Sequence, residues 1–152
     1  MLRLLLSAVA AAAAMAGAAQ AQTQSPYQIA ASWGLLGSWL FDCAAPYSNN
    51  NALYTYVWRN NQVMLDRDYG DNRRDSNTVT ALRSGKPDQI EYVVIFGSVA
   101  EPQSRQHIWQ KDPSGRRMRL LLNRNPLTGQ TFVANGQFED DGTPTAWNYR
   151  CR

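Results

Sequence analysis

Short runs in which apolar and polar residues alternate dominate the chain from Leu36 onward. Such alternation is typical of half-buried β-strands, because successive side chains of a strand point to opposite faces. Turn-forming residues separate the runs, for example Asn60-Asn61 and the segment 112–115, Asp-Pro-Ser-Gly. The sequence therefore predicts about eight to nine short strands, a pattern that favours one antiparallel up-and-down β-barrel.

The predicted strands cover residues 36–42, 52–59, 62–69, 77–83, 89–96, 105–111, 116–123, 130–138 and 146–151. In the run 89–96 both faces are apolar, since Val93 and Ile95 alternate with other apolar residues. We therefore expect this strand to be covered on both faces.

Two cysteines, Cys43 and Cys151, lie at the first and last predicted strands. In an exported chain an even number of cysteines predicts disulfide pairing. One disulfide between them favours closure of the barrel, because the first and last strands become neighbours when the sheet edges meet. A free thiol at Cys151, beside Arg150 and Arg152, is the alternative.

The N-terminus predicts export. Residues 1–21 combine a charged start at Arg3, an apolar alanine-rich run and the sequence Ala19-Gln20-Ala21, which is typical of a cleaved signal peptide. The alternative is an uncleaved membrane anchor. Residues 22–35 are then an N-terminal leader with room for a short helical turn, and 36–152 form the β-barrel domain. The predicted location is the bacterial periplasm or the exterior, with no stable membrane span after cleavage.

The charge pattern argues against nucleic acid as a partner. The formal net charge is +3, and the basic residues are scattered among acidic ones, as around Arg67. The densest group, at 116–119, is interrupted by Met118, and alternation along a strand separates that residue from Arg117 and Arg119. A nucleic-acid binder needs its positive charges gathered on one face.

The opening Gly37-Ser38-Trp39 resembles the G-x-W motif of lipocalins and the wider calycin superfamily. The resemblance implies that Trp39 is structural and plugs the closed end of the barrel beside an arginine from late in the chain, either Arg150 or Arg152. The chain departs from lipocalins in carrying its Asp-Tyr pair early, at 68–69, and in the disulfide predicted between its first and last strands.

The same region is also similar to small exported proteobacterial proteins with a G-x-W-x-x-x-C-x-x-P-x-S-x-N opening. The matching residues are Gly37, Trp39, Cys43, Pro46, Ser48 and Asn50. This resemblance implies the compartment and the fold, and it implies no particular chemistry.

No catalytic or metal-binding constellation is evident. His107 is the single histidine, without a recognisable nucleophile partner or a zinc-ligand set. The segment 66–71 resembles half of a calcium loop, but Gly70 comes one place early and Asn77 stands where a glutamate is needed. We therefore predict a non-enzyme with no metal and no cofactor.

Aromatic residues on neighbouring strand faces are the candidate ligand-binding residues, because aromatic rings supply contact area in small-molecule pockets. They are Tyr54, Tyr56, Trp58, Tyr92, His107 and Trp109. The alternative is that they fill the core, since an eight-stranded barrel can be packed solid by side chains.

The predicted function is non-catalytic binding of a small, partly apolar ligand by an exported, lipocalin-like barrel. The first alternative is a module that binds an envelope protein, such as an inhibitor of a lysozyme or protease, through the loops 46–51 and 97–105. The second alternative is a structural envelope protein without a pocket.

Overall fold

The computed structural model describes residues 24–97 and 103–151, and the predicted signal peptide lies outside them. The fold is an all-β, closed antiparallel barrel of eight strands with one disulfide, which confirms the predicted fold class. The strands are β1 (Gly37–Leu40), β2 (Leu53–Arg59), β3 (Gln62–Asp68), β4 (Arg74–Lys86), β5 (Gln89–Phe96), β6 (Gln103–Lys111), β7 (Arg117–Arg124), β8 (Thr131–Ala134), β9 (Gln137–Phe138) and β10 (Trp147–Cys151).

Consecutive strands from β1 to β7 pair in sequence order, and β10 closes the barrel by pairing with both β1 and β7. The tight turns between β2 and β3, between β4 and β5, and between β6 and β7 lie at one end, which we call the closed end. At the first of these turns Asn60 and Asn61 have φ values of 54° and 60°. These values suit the two-residue hairpin turn that the asparagine pair predicts.

The strand β7 changes its partner along its length. Its first part pairs with β10 through Arg119 and Met118, whereas its last part pairs with β8 through Asn123 and Arg124. The short hairpin of β8 and β9 therefore lies outside the closed barrel. The barrel wall divides at the point where the partner of β7 changes from β10 to β8. We call this point the seam.

Residues 26–33 form a helix, α1 (Pro26–Trp33), where the sequence predicts a loose leader with room for a short helical turn. Ser25 caps it in a capping box with Gln28, Pro26 occupies its first turn, and Gly34 ends it with φ 86°. The helix packs against β3 and β4, and Ala30 and Trp33 join the hydrophobic core. The leader is thus an integral part of the core from residue 26 onward.

Trp39 fills the closed end of the barrel. Its ring is buried, and its indole Nε1 donates a hydrogen bond of 2.9 Å to the carbonyl oxygen of Leu35. The guanidinium of Arg150 lies 4.7 Å from the centre of the Trp39 ring and donates to the carbonyl oxygen of Gly34. Trp39 and Arg150 are also directly opposed in the pairing of β1 with β10.

The disulfide joins Cys43 to Cys151 across 108 residues of sequence, with a Cα–Cα distance of 5.7 Å. It ties the segment that follows β1 to the end of β10. In the described ranges no helix is long and apolar enough to cross a membrane.

Candidate functional site

Three of the predicted aromatic residues form a hydrogen-bonded cluster inside the barrel. The hydroxyl oxygens of Tyr56 and Tyr92 lie 2.5 Å apart, and Trp109 Nε1 donates to the Tyr92 hydroxyl at 2.8 Å. All three side chains are buried, and burial is the main cause that raises the pKa of both tyrosines. Their polar atoms satisfy one another, so most of this cluster packs the core as the alternative interpretation expects.

Trp58 stands apart from the other predicted binding residues. It shares the inward strand face with Tyr56 but lies beside the turn at the closed end, where it is 38% exposed. Its ring packs 5.5 Å from that of Tyr27 in α1. Trp58 therefore packs on the helix at the closed end.

A pocket of about 250 Å³ opens at the seam and reaches the barrel interior. Two of the predicted binding residues, Tyr54 and Trp109, line it together with Leu120 of β7. The rest of its wall comes from the β1–β2 loop, from β9, and from the start of β10 with the residues before it. The lining residues are Phe41, Asn49, Asn50, Ala52, Tyr54, Trp109, Leu120, Phe138, Thr145, Ala146 and Asn148. We call this the seam pocket.

The loop that carries Asn49 and Asn50 is held by a neighbouring asparagine. The buried Asn51 accepts a hydrogen bond from the backbone N–H of Asp42, and its Nδ2 donates to the carbonyl oxygens of Asp42, Ala45 and Pro46 at 2.9 to 3.3 Å. The side-chain amide of Asn51 thereby holds both ends of the loop. This wall of the seam pocket therefore has a fixed conformation.

The opposite wall is fixed by Thr145. Its hydroxyl donates to the carbonyl oxygens of Leu120 and Gly136 at 2.7 and 3.2 Å, which ties the segment before β10 to β7. Gly136 has φ 76°, and a Cβ there would lie 3.3 Å from Leu121 Cδ2. A glycine at this position therefore lets the backbone pass close to β7.

Towards the open end of the barrel, the inward face becomes polar. Arg67 continues the inward face of β3 beyond Leu65 and forms a two-point ion pair with Asp75 of β4. Asn77 of β4 donates to Asp75 Oδ1 at 2.7 Å. On the far side, His107 of β6 opposes Asn123 of β7. We call Arg67, Asp75, Asn77, Arg105, His107 and Asn123 the inner polar layer.

His107 is buried without a hydrogen bond to either ring nitrogen. Its ring packs edge-on against Tyr92 and Trp109, with ring centres 5.5 and 6.4 Å apart. Burial, followed by the positive charges of Arg67 and Arg105, lowers the pKa of His107 to about 3. The imidazole is therefore neutral at pH 7, with one donor and one acceptor nitrogen.

Sequence reasoning placed His107 among the candidates but missed the other members of the inner polar layer. Arg67 counted there only as one of the basic residues that are scattered among acidic ones. Val63, Leu65 and Arg67 alternate along β3 and so share one face, which indicates that Arg67 faces inward. Because arginine is usually exposed to solvent, this indication was easy to overlook.

The acidic segment at the tip of β3 is neutralised by Arg59, Arg73 and Arg74. Asp66 pairs with Arg59 at 2.9 Å and Asp68 with Arg74 at 2.8 Å. Within residues 24–97 and 103–151, no group of three or more histidine, cysteine, aspartate or glutamate side chains is arranged to hold a metal ion.

Comparisons with protein-family models, with curated proteins and with solved structures gave no match to this chain. The interpretation of the site therefore depends on its own chemistry.

Proposed function

We propose that this protein is an exported, non-catalytic barrel that binds a small, neutral, partly apolar ligand in the seam pocket. The observation that carries the proposal is the chemistry of the lining. None of the lining side chains bears a formal charge. Aromatic and aliphatic groups with a few amides and hydroxyls are the usual composition of small-molecule sites.

Several polar groups of the lining are free to orient a ligand. The amides of Asn49, Asn50 and Asn148 make no side-chain hydrogen bond to another described residue, and neither does the Tyr54 hydroxyl. Burial raises the pKa of Tyr54, so this hydroxyl stays protonated and can donate. The volume of about 250 Å³ is below the range of roughly 300–1,000 Å³ that is usual for drug-sized ligands. The ligand is therefore a small molecule of modest size.

Export is supported by two features of the sequence and the fold. The first 21 residues have the pattern of a cleaved signal peptide. The Cys43–Cys151 disulfide suits an oxidising compartment such as the periplasm.

Binding to an envelope protein is the second candidate, and an outer groove of about 750 Å³ favours it. This groove runs beside the disulfide and carries the half-exposed rings of Phe41 and Tyr149. The loop 46–51, suggested as a contact loop, instead supplies a wall of the seam pocket, and part of the loop 97–105 lies outside the described residues. The outer groove is open and contains both signs of charge, so we favour the seam pocket.

The proposal is tested by a substitution that fills the seam pocket without changing a core residue. Ala146 is exposed at the rim of the pocket, so Ala146→Trp should block it with little effect on folding. Ala31→Trp, on the exposed side of α1, adds the same ring elsewhere and is the matched control. The neutral fluorescent probe N-phenyl-1-naphthylamine should bind the mature protein, and Ala146→Trp should weaken its binding at least tenfold.

Thermal unfolding of both variants should stay close to that of the wild type. Equal affinity of the probe for the wild type and Ala146→Trp would reject the seam pocket as the site. Native mass spectrometry of the protein purified without detergent is the complementary measurement, because a retained neutral molecule would appear as added mass.

A further inference from the structure

The inner polar layer contains more unpaired polar atoms than a packed interior normally keeps. His107 Nδ1 and Nε2, Asn77 Oδ1 and Asn123 Oδ1 are all buried without a hydrogen-bond partner in the described part of the chain. Buried polar groups in folded proteins are nearly always paired, so a cluster of exceptions requires an explanation such as a bound molecule. His107 is only 8% exposed and Asn77 1%, so bulk solvent does not supply the missing partners.

The charges of the layer identify the kind of molecule that fits. Arg67 is neutralised by Asp75, whose carboxylate it meets at two points. Among the described residues, Arg105 donates only to neutral acceptors, the carbonyl oxygen of Ser104 and Gln103 Oε1 at 3.1 Å each, and it stacks on Phe132. Within the described residues the layer therefore holds one uncompensated positive charge.

Arg105 and His107 are two residues apart on β6, so their side chains share the inward face. Arg105 lies nearer the open end and His107 lies deeper, above Tyr92 and Trp109. A small anion entering from the open end would meet the guanidinium first and the imidazole N–H next. The amide of Asn123, which opposes His107, can turn its Nδ2 towards the same place.

We propose that the inner polar layer binds a small carboxylate as its monoanion, between the guanidinium of Arg105 and the imidazole of His107. Arginine matches a carboxylate through parallel N–H donors, and hydrogen bonds to an ionised group are the strong ones. This site is distinct from the seam pocket, since it uses other residues and takes a charged ligand. Either proposal can fail without affecting the other.

The single histidine of the chain makes the test direct, because His107 gives the only imidazole signals in an NMR spectrum. The mature protein is titrated at pH 7 with sodium acetate, with sodium chloride holding the ionic strength constant. Acetamide, which has nearly the same shape without the charge, is titrated in parallel. We expect a saturable shift of the His107 ring signals with acetate and no saturation with acetamide.

Two arginine variants locate the charge that is responsible. Arg105→Gln should raise the Kd for acetate at least tenfold, while Arg105→Lys, which keeps the charge, should retain most of the binding. Arg83→Gln removes a cation that pairs with Glu91 on the outer face, and it should leave the Kd unchanged.

Three results would overturn the proposal. The first is a His107 signal that does not respond to acetate, which would mean that water alone fills the layer. The second is an equal, saturable response to acetamide, which would mean a neutral ligand. The third is an unchanged Kd in a folded Arg105→Gln variant.

Discussion

Protonation of a single side chain, His107, makes the stability of the protein depend on pH. Its folded pKa is about 3, below the value of 6.5 for an exposed histidine. The unfolded chain therefore binds the proton more readily, and stability falls as the pH drops below about 6.5. The linkage relation gives a loss of about 3 kcal/mol between pH 7 and pH 4 from this group.

The measurement is urea unfolding at pH 7 and pH 4, for the wild type and for His107→Phe. Phenylalanine keeps a ring between Tyr92 and Trp109 but cannot titrate, so the variant should lose about 3 kcal/mol less on acidification. Acidic side chains contribute equally to both proteins and cancel in the comparison. A variant that loses as much stability as the wild type would show that His107 is not held neutral.

Gly37 is required by the position of Arg150. Its φ is 127°, a conformation that other residues rarely adopt, and a Cβ would lie 3.3 Å from Arg150 Nη1. We expect Gly37→Ala to lower the unfolding free energy by about 1–3 kcal/mol, because it strains the backbone and displaces the guanidinium from Trp39. Gly85→Ala is the control, since a Cβ there meets nothing within 4 Å. Equal stabilities of the two variants in urea would contradict this role.

At the scale of elements, the strands were predictable, whereas the helix was predictable only as a possible short turn within the leader. Alternation and turn residues are local signals, so the hairpin at Asn60-Asn61 follows directly from the sequence. The helix α1 has eight residues, and so short a helix is marginal on its own. Its stability comes from packing Ala30 and Trp33 against the closed end, which depends on a tertiary contact that the sequence pattern does not display.

The same limit applies to the faces of the strands. The sequence predicts that β5 is covered on both sides, yet Ile95 is 38% exposed on the outer face. No layer covers that face at Ile95, because α1 packs against β3 and β4. The barrel encloses the inward face alone, and there it buries Asn77 and half-buries the ion pair of Arg67 with Asp75. The candidate aromatic residues were predictable from alternation, whereas the polar layer depends on pairing between distant strands.

At the scale of the whole molecule, closure of the barrel depends on two short strand ladders. The ladder between β2 and β3 joins seven residue pairs, whereas β10 meets β1 through three and β7 through three. The barrel is therefore weakest along β1, which also meets β2 through only three pairs, and along β10, which lies beside the seam pocket. The disulfide stands at this strand, where a covalent bond offsets the small number of hydrogen bonds.

Loss of the disulfide should therefore destabilise the protein and loosen β10 first. The bond closes a loop of 108 residues, and the chain-entropy relation assigns roughly 4–5 kcal/mol to a loop of that size. We expect Cys43→Ser to lower the unfolding free energy by about this amount. Amide hydrogen exchange should accelerate more in β10 than in β5, whose ladders on both sides are long. Reductant should reproduce both effects in the wild type and change nothing in Cys43→Ser. Uniform acceleration across β5 and β10 would instead mean that the barrel opens as one unit, with the disulfide acting on the unfolded chain alone.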